Sequence, residues 1–133
     1  MTPFLVPHRD EFSETVGYKI SGPKKTALFI PDIDKWHKWK HSIIEEVKKV
    51  DYAFLDATFF NQKEVKRAMT EVPHPFIEET ASFFKNESIE TKNKVIFIHF
   101  NHTNPALLKE SKEKSALEKL GFRFAVEGQN YEL

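Results

Sequence analysis

Thr26-Ala27-Leu28-Phe29-Ile30-Pro31-Asp32 is the stretch on which the fold turns. Five strand-forming residues run without alternation and stop at a proline, the pattern of a strand buried on both faces. Directly beyond the stop stands Asp32, a side chain capable of chemistry. The pattern recurs downstream. Tyr52-Ala53-Phe54-Leu55 runs into Asp56-Ala57-Thr58, and Val95-Ile96-Phe97-Ile98 runs into His99. Upstream, Thr15 to Ile20 alternates and predicts a half-buried strand, joined to the first stretch by the turn Ser21-Gly22-Pro23-Lys24. Phe122 to Val126 predicts a last strand.

The intervals between these strands read as helices. Trp36, Trp39, Ile43, Ile44 and Val47 fall at three- and four-residue spacing and predict an amphipathic helix with Asp34 as N-cap. Lys63 to Met69 predicts a helical turn or two, and Pro75 to Phe84 a helix with proline in its first turn. Asn104-Pro105 opens a helix running through Leu107, Leu108, Leu117 and Leu120 and closed by Gly121. The order β, β, α, β, α, β, α, β predicts an α/β fold with βαβ units and a largely parallel, helix-covered sheet. With no repeat, no low-complexity tract and no proline-rich linker in 133 residues, a single domain over 1–133 is expected.

Composition narrows the function. Twenty basic and twenty acidic residues cancel, and the pairs Lys24-Lys25 and Lys48-Lys49 are isolated, so no strong nucleic-acid footprint is present. No apolar run approaches a membrane span, and Met1 to Glu11 lacks the apolar stretch of a signal peptide, so a cytoplasmic location is expected. The absence of cysteine excludes disulfides, thiolate zinc sites and cysteine nucleophiles, and leaves His, Asp and Glu as the strong metal ligands. Thirteen Phe, three Tyr and two Trp predict a core built from large aromatic side chains.

In open α/β sheets ligands bind beyond the carboxyl ends of the strands. Asp32, Asp56 and His99 follow three successive apolar strands, and His8 precedes the first predicted one. Three or four Asp and His groups on one rim suit a hard or borderline divalent metal, which lowers the pKa of a bound water. An Asp after a strand also serves as an N-cap, a role open to Asp32 and Asp34. His102, three residues after His99, is a candidate for supporting a ligand or facing substrate. His37 and His41 stand four apart, but Lys35, Lys38 and Lys40 surround them, and they read as a solvated helix face.

These residues carry a resemblance to the metallo-β-lactamase superfamily over roughly residues 4 to 128. Val6-Pro7-His8 with Thr15-Val16-Gly17-Tyr18-Lys19-Ile20 is similar to its third metal-ligand motif. Leu28-Phe29-Ile30-Pro31-Asp32 is similar to the fourth, a strand ending in a metal-bridging Asp, and Ile98-His99-Phe100-Asn101 to the fifth, a strand ending in a His ligand. The runs Pro7-His8-Arg9-Asp10-Glu11-Phe12-Ser13 and His99-Phe100-Asn101-His102-Thr103-Asn104-Pro105 resemble the branch of pyrroloquinoline quinone biosynthesis protein B. Leu55-Asp56-Ala57-Thr58-Phe59 and Pro73-His74-Pro75-Phe76 resemble the acidic and His motifs of the related tRNA 3′-processing endonucleases.

The resemblance implies a metal-dependent hydrolase, phosphodiesterase-like or coenzyme-biosynthesis-like, acting on a small-molecule or phosphodiester substrate. His8 and His99 would each bind one metal and Asp32 would bridge, with zinc as the ion and iron or manganese as alternatives. Asp56 and His74 would be the catalytic pair that orients and protonates the leaving group. One departure is large. The superfamily's His-x-His-x-Asp-His motif occurs nowhere in the 133 residues, so the implied fold is the C-terminal half of an αββα sandwich. The expected partner is the missing N-terminal half or a second copy, joined through a sheet face drawn from Phe29, Phe54, Phe97, Phe122 and Phe124. The alternative is a non-catalytic, truncated α/β module acting through binding or self-association.

Overall fold

Residues 1–9 and 12–133 are described by a computed structural model. Asp10 and Glu11, part of the Pro7 to Ser13 run quoted above, lie outside the described residues. Six strands form one sheet in simple sequence order: β1 (Thr2–Val6), β2 (Thr15–Ser21), β3 (Thr26–Ile30), β4 (Tyr52–Asp56), β5 (Val95–Ile98) and β6 (Arg123–Phe124). β3 to β6 are parallel, and β1 and β2 are added antiparallel at one side. The sheet is therefore mixed, with the βαβ pattern confined to four of its strands, as the largely parallel order implied.

The strand β1 had no counterpart in the sequence reading. It is short, lies at the sheet edge and carries Pro3, which an edge strand tolerates because it need not donate on its free side. Its last side, Val6, is buried, and its Phe4 lies over Gly17 of β2. A Cβ on Gly17 would meet the Phe4 ring at 2.7 Å, so the close approach needs a glycine. Two antiparallel steps restore direction, so β1 runs the same way as β3. His8 thus follows a strand end instead of merely preceding the first strand.

Cross-strand register sorts the side chains onto two faces. Ile30, Leu55, Phe97 and Phe124 form one row, all buried, in the same core as Trp36, Trp39, Ile43, Val47, Ile77, Phe84 and Phe122. Tyr18, Phe29, Phe54, Ile96 and Arg123 form the opposite row. None of these belongs to that core. The C-terminal segment folds back over this second face, where Tyr131 sets its ring edge-on to Tyr52 and Phe54, with centroids 5.2 and 5.0 Å away. The five Phe residues from which an exposed face was expected to be drawn divide between the two sides. Phe97, Phe122 and Phe124 point to the helices, while Phe29 and Phe54 stay half-buried on the other side.

The helices are shorter than predicted, for local reasons. Asp34 does not cap a helix. Trp36–Lys38 is a single 3₁₀ turn, Trp39 is extended, and α1 (Ile43–Lys48) begins at Ser42, whose hydroxyl accepts from the Glu45 N–H. Lys63 to Met69 is replaced by two 3₁₀ turns, Gln62–Glu64 and Met69–Glu71. The helix α2 (Ile77–Phe83) starts after Pro75, and α3 (Ile89–Lys94), capped by Ser88, was not foreseen. The long helix from Asn104 is split into a turn at Pro105–Leu107 and α4 (Lys112–Leu120), which begins at Ser111. Gly121 ends α4 as expected, at φ 114°. Serine caps set the start of three of the four helices, α1, α3 and α4, because an N-cap satisfies orphan N–H groups wherever the chain leaves a turn.

Candidate metal centre

Because β1, β3, β4 and β5 all run the same way, the residues just past their ends collect on one rim. Asp56 is the last residue of β4 and is fully buried. Its carboxylate accepts four hydrogen bonds: Oδ1 from the Thr58 N–H at 2.9 Å and the Thr58 hydroxyl at 2.7 Å, Oδ2 from the Ile33 N–H at 3.2 Å and from His74 Nδ1 at 2.8 Å. A buried carboxylate is tolerated only when paired in this way.

His74 arrives from a different direction, on the loop before α2. Buried prolines at 73 and 75 bracket it and restrict its backbone to extended geometry. Its Nδ1 lies 3.3 Å from Asp32 Oδ1 as well as 2.8 Å from Asp56, and Phe59 sets its ring edge-on, with centroids 5.9 Å apart. Burial pushes the imidazole pKa down. The hydrogen bond to Asp56 and the charges of Asp56, Asp32 and Asp34 push it up by more, so the net displacement is upward.

One donor atom from each of Asp32, Asp56 and His74 lies within 4.8 Å of the others. His8 joins from β1, its Nε2 lying 3.5 Å from Asp32 Oδ2 and its ring 5.6 Å from that of His74. Among the described residues, two buried atoms here make no hydrogen bond: Asp32 Oδ1, which has only the charge of His74 Nδ1 at 3.3 Å, and His8 Nδ1. Such orphans are costly and call for an explanation. A divalent cation supplies one, because carboxylate oxygen and imidazole nitrogen are the donors that zinc, iron and manganese accept. The donor set fits a metal.

The sequence-derived candidates are therefore regrouped. Asp56 and His74, read as a catalytic pair, stand with Asp32 in one cluster, and His8 adjoins it. His99 is one residue removed: its Nδ1 contacts the Thr58 hydroxyl at 3.2 Å, and that hydroxyl also lies 3.3 Å from His74 Nδ1. His99 is exposed and is the one non-glycine with positive φ, 65°, among the described residues. His102 is exposed on the following turn, away from the cluster's hydrogen bonds. His37 and His41 are exposed, and His41 packs its ring against Trp39.

Thr58 joins these candidates, although nothing in the linear sequence singles it out beyond its position. It touches Asp56, His74 and His99 together. The one signal was its place two residues beyond a strand-ending Asp, where a hydroxyl and an N–H can reach back to the carboxylate. Asn104 holds the same corner from beneath. Its buried Nδ2 donates to the Ala57 carbonyl at 2.8 Å, and its Oδ1 accepts from the Ala106 N–H at 2.9 Å.

A family model described as the beta-lactamase superfamily domain matches residues 1–100. The chain belongs to the beta-lactamase superfamily. Within it, the chain is 28% identical over 126 residues to the coenzyme PQQ synthesis protein B of Gluconobacter oxydans (strain 621H), a match covering 90% of this chain and 40% of that protein. It is 28% identical over 138 residues to the protein of the same name from Nitrosococcus oceani, covering 96% and 44%. The chain thus spans less than half the length of these relatives. Among solved structures, the zinc-bound PqqB of Methylobacterium extorquens superposes with a TM-score of 0.70 at 22% identity, covering 99% of this chain and 50% of that one. The mixed sheet described above is therefore the superfamily fold, as the strand-end motifs implied. Among the described residues, no helix is long and apolar enough to cross a membrane.

Proposed function

We propose that this chain contributes a divalent-metal site of the superfamily to a coenzyme-biosynthesis-like reaction of hydrolytic type. The observation that carries the reading is the gathering of one ligand atom each from Asp32, Asp56 and His74 within 4.8 Å of one another, with Asp32 Oδ1 and His8 Nδ1 making no hydrogen bond among the described residues. Asp32, His74 and His8 are the residues that would hold the ion, with zinc favoured because the PqqB of similar fold carries it. A bound zinc ion supplies a Lewis acid that polarises a carbonyl or phosphoryl oxygen and activates water at neutral pH.

The rest is the work of this chain's residues. Asp56 keeps the His74 ring in a set orientation through Nδ1, the arrangement by which a carboxylate fixes an imidazole's tautomer and raises its basicity. Thr58 ties that pair to His99, whose exposed ring is placed to meet a substrate or a second ligand set. His99, outside that cluster, is the residue that would be free to meet groups supplied from outside this chain.

Zinc titration tests the reading. The chain alone is expected to bind one zinc ion with micromolar or weaker affinity, because so few protein ligands leave positions to water. Asp32→Ala should abolish the binding, and unchanged binding in that variant would remove Asp32 from the ligand set.

A second reading, a non-catalytic module acting through association, is favoured by the half-buried apolar row Tyr18, Phe29 and Phe54 on the sheet face away from the helices. Three half-buried rings expose roughly 200 Å² between them, worth on the order of 5 kcal/mol before entropic costs if buried. Sedimentation equilibrium at micromolar concentration should then show a dimer or larger species. A monodisperse monomer would discard this reading and indicate that the C-terminal segment is cover enough.

A further inference from the structure

The four residues after Asp32 each grip a different part of the centre. The Ile33 N–H donates to Asp56 Oδ2 at 3.2 Å. The Asp34 N–H donates to the Pro7 carbonyl at 2.7 Å, one residue before His8. The Lys35 ammonium donates to Glu79 Oε1 of α2 at 2.5 Å and lies 4.3 Å from the centre of the Phe76 ring. The Trp36 Nε1–H donates to the Thr80 hydroxyl, also of α2, at 2.8 Å.

The grip on α2 is the unusual one. Lys35 is 2% exposed, and a lysine is almost never buried to that degree unless its charge is paired. Glu79 supplies the pairing and does a second job, since its Oε1 also accepts from the Phe76 N–H at 3.0 Å. Phe76 lies two residues beyond His74. A neutral side chain would fill the space with less desolvation cost, because a buried ion pair is weak evidence of added stability. What a charged pair supplies instead is a single well-defined distance and direction between the two loops it joins.

We propose that Lys35 and Glu79, with Trp36 and Thr80 beside them, are positioning residues that set His74 against Asp32 and so determine metal affinity. The proposal rests on the metal reading above. Lys35 carries the Asp32 loop and Glu79 the His74 loop, so this pair, 44 positions apart in sequence, fixes the separation of the donors on the two loops. Partners bonded directly to a metal ligand are worth about 10- to 100-fold in metal affinity, and this pair, acting one contact further out through the two loops, is expected to weigh in at the lower figure.

The test is the double variant K35M/E79Q, which removes both charges while the Gln oxygen can still accept from the Phe76 N–H. Three measurements are made on the full chain: melting temperature without metal, zinc affinity by competition with a chromophoric chelator, and the ¹⁵N resonances of the His74 ring in metal-free protein. Expected are a melting temperature near that of the unaltered chain, zinc binding weakened ~10-fold, and displaced His74 ring resonances. Zinc affinity and ring resonances both unchanged in the folded double variant would overturn the proposal and make the pair structural only. An unaltered chain that binds no zinc, with ring resonances that still move in the variant, would overturn the metal reading and leave the clamp standing. Immobile ring resonances overturn the clamp whatever the zinc result. Should the double variant fail to fold, W36F removes the Thr80 hydrogen bond and keeps the ring in place, and the same three readings decide the matter, with a smaller displacement expected.

Discussion

Asp56 and His99 finish neighbouring parallel strands, one on β4 and the other just past β5, and Asp56 pairs in register with Ile98. In a linear reading they are equivalent. In the fold Asp56 is fully buried with every lone pair engaged, whereas His99 is exposed, held by one contact to Thr58 and strained in its backbone. What differs is the covering. The Pro73–Phe76 loop and the N-terminal turn of α2 close over the end of β4, tied down by the Ile77 N–H to the Phe59 carbonyl at 3.0 Å and the Glu78 N–H to the Phe60 carbonyl at 3.2 Å. Past β5 the chain turns out to solvent. One strand end builds the scaffold of the centre, and its neighbour presents a side chain.

The strongest way to break that contrast is to remove the scaffold side. Asp56→Ala would leave the Ile33 and Thr58 N–H groups and His74 without their acceptor. At about 1–3 kcal/mol for each buried group left unsatisfied, the loss should be at least about 3 kcal/mol in chemical denaturation, together with loss of zinc binding. A variant as stable as the parent would show that the four hydrogen bonds carry little net weight.

A medium effect should come from pH. The folded-state pKa of His74 is raised above its usual value of 6.5, so the protonated ring is better accommodated in the native than in the unfolded chain. The stabilisation is fully present below the unfolded pKa and is lost as pH rises through the folded one. The melting temperature of metal-free protein should therefore fall as pH rises beyond about 6.5, and His74→Gln should flatten that slope. An unchanged slope in the variant would assign the dependence to another group.

The smallest effect sharpens the presenting side. A non-glycine in the left-handed region costs roughly 1 kcal/mol, so His99→Gly should be more stable than His99→Ala by about that amount. Thermal melts of the two variants check it. Equal stability would mean that the backbone at 99 relaxes once the ring is gone, and that the Thr58 contact had imposed the conformation.

The faces of the sheet carry the same lesson as its ends. Leu28, Ile30, Leu55 and Phe97 and their partners Ala27, Phe29, Phe54 and Ile96 form uninterrupted apolar runs, from which burial on both sides is a sound inference. Both sides are indeed covered, but by different means: helices on one, the C-terminal segment around Tyr131 on part of the other. An apolar run reports that its faces leave water. It does not report what takes the water's place.

Legible in the linear sequence were the five strands β2 to β6, the βαβ character of the centre, the Gly121 cap and the placing of Asp and His side chains at strand ends. These depend on period, punctuation and residue type within a few positions, and such local terms survive into the fold. Asp32, Asp56, His74 and His8 were all singled out there, but how they come together depends on the folded chain. The strand β1 exists because β2 offers it an edge, with Gly17 making room for Phe4. His74 reaches Asp32 and Asp56 because the chain between β4 and α2 folds back over the strand end, held by the buried Lys35–Glu79 and Trp36–Thr80 contacts across 44 positions. Those are long-range terms, and their cost in chain entropy is met only when the whole sheet is formed. No local pattern could have specified them.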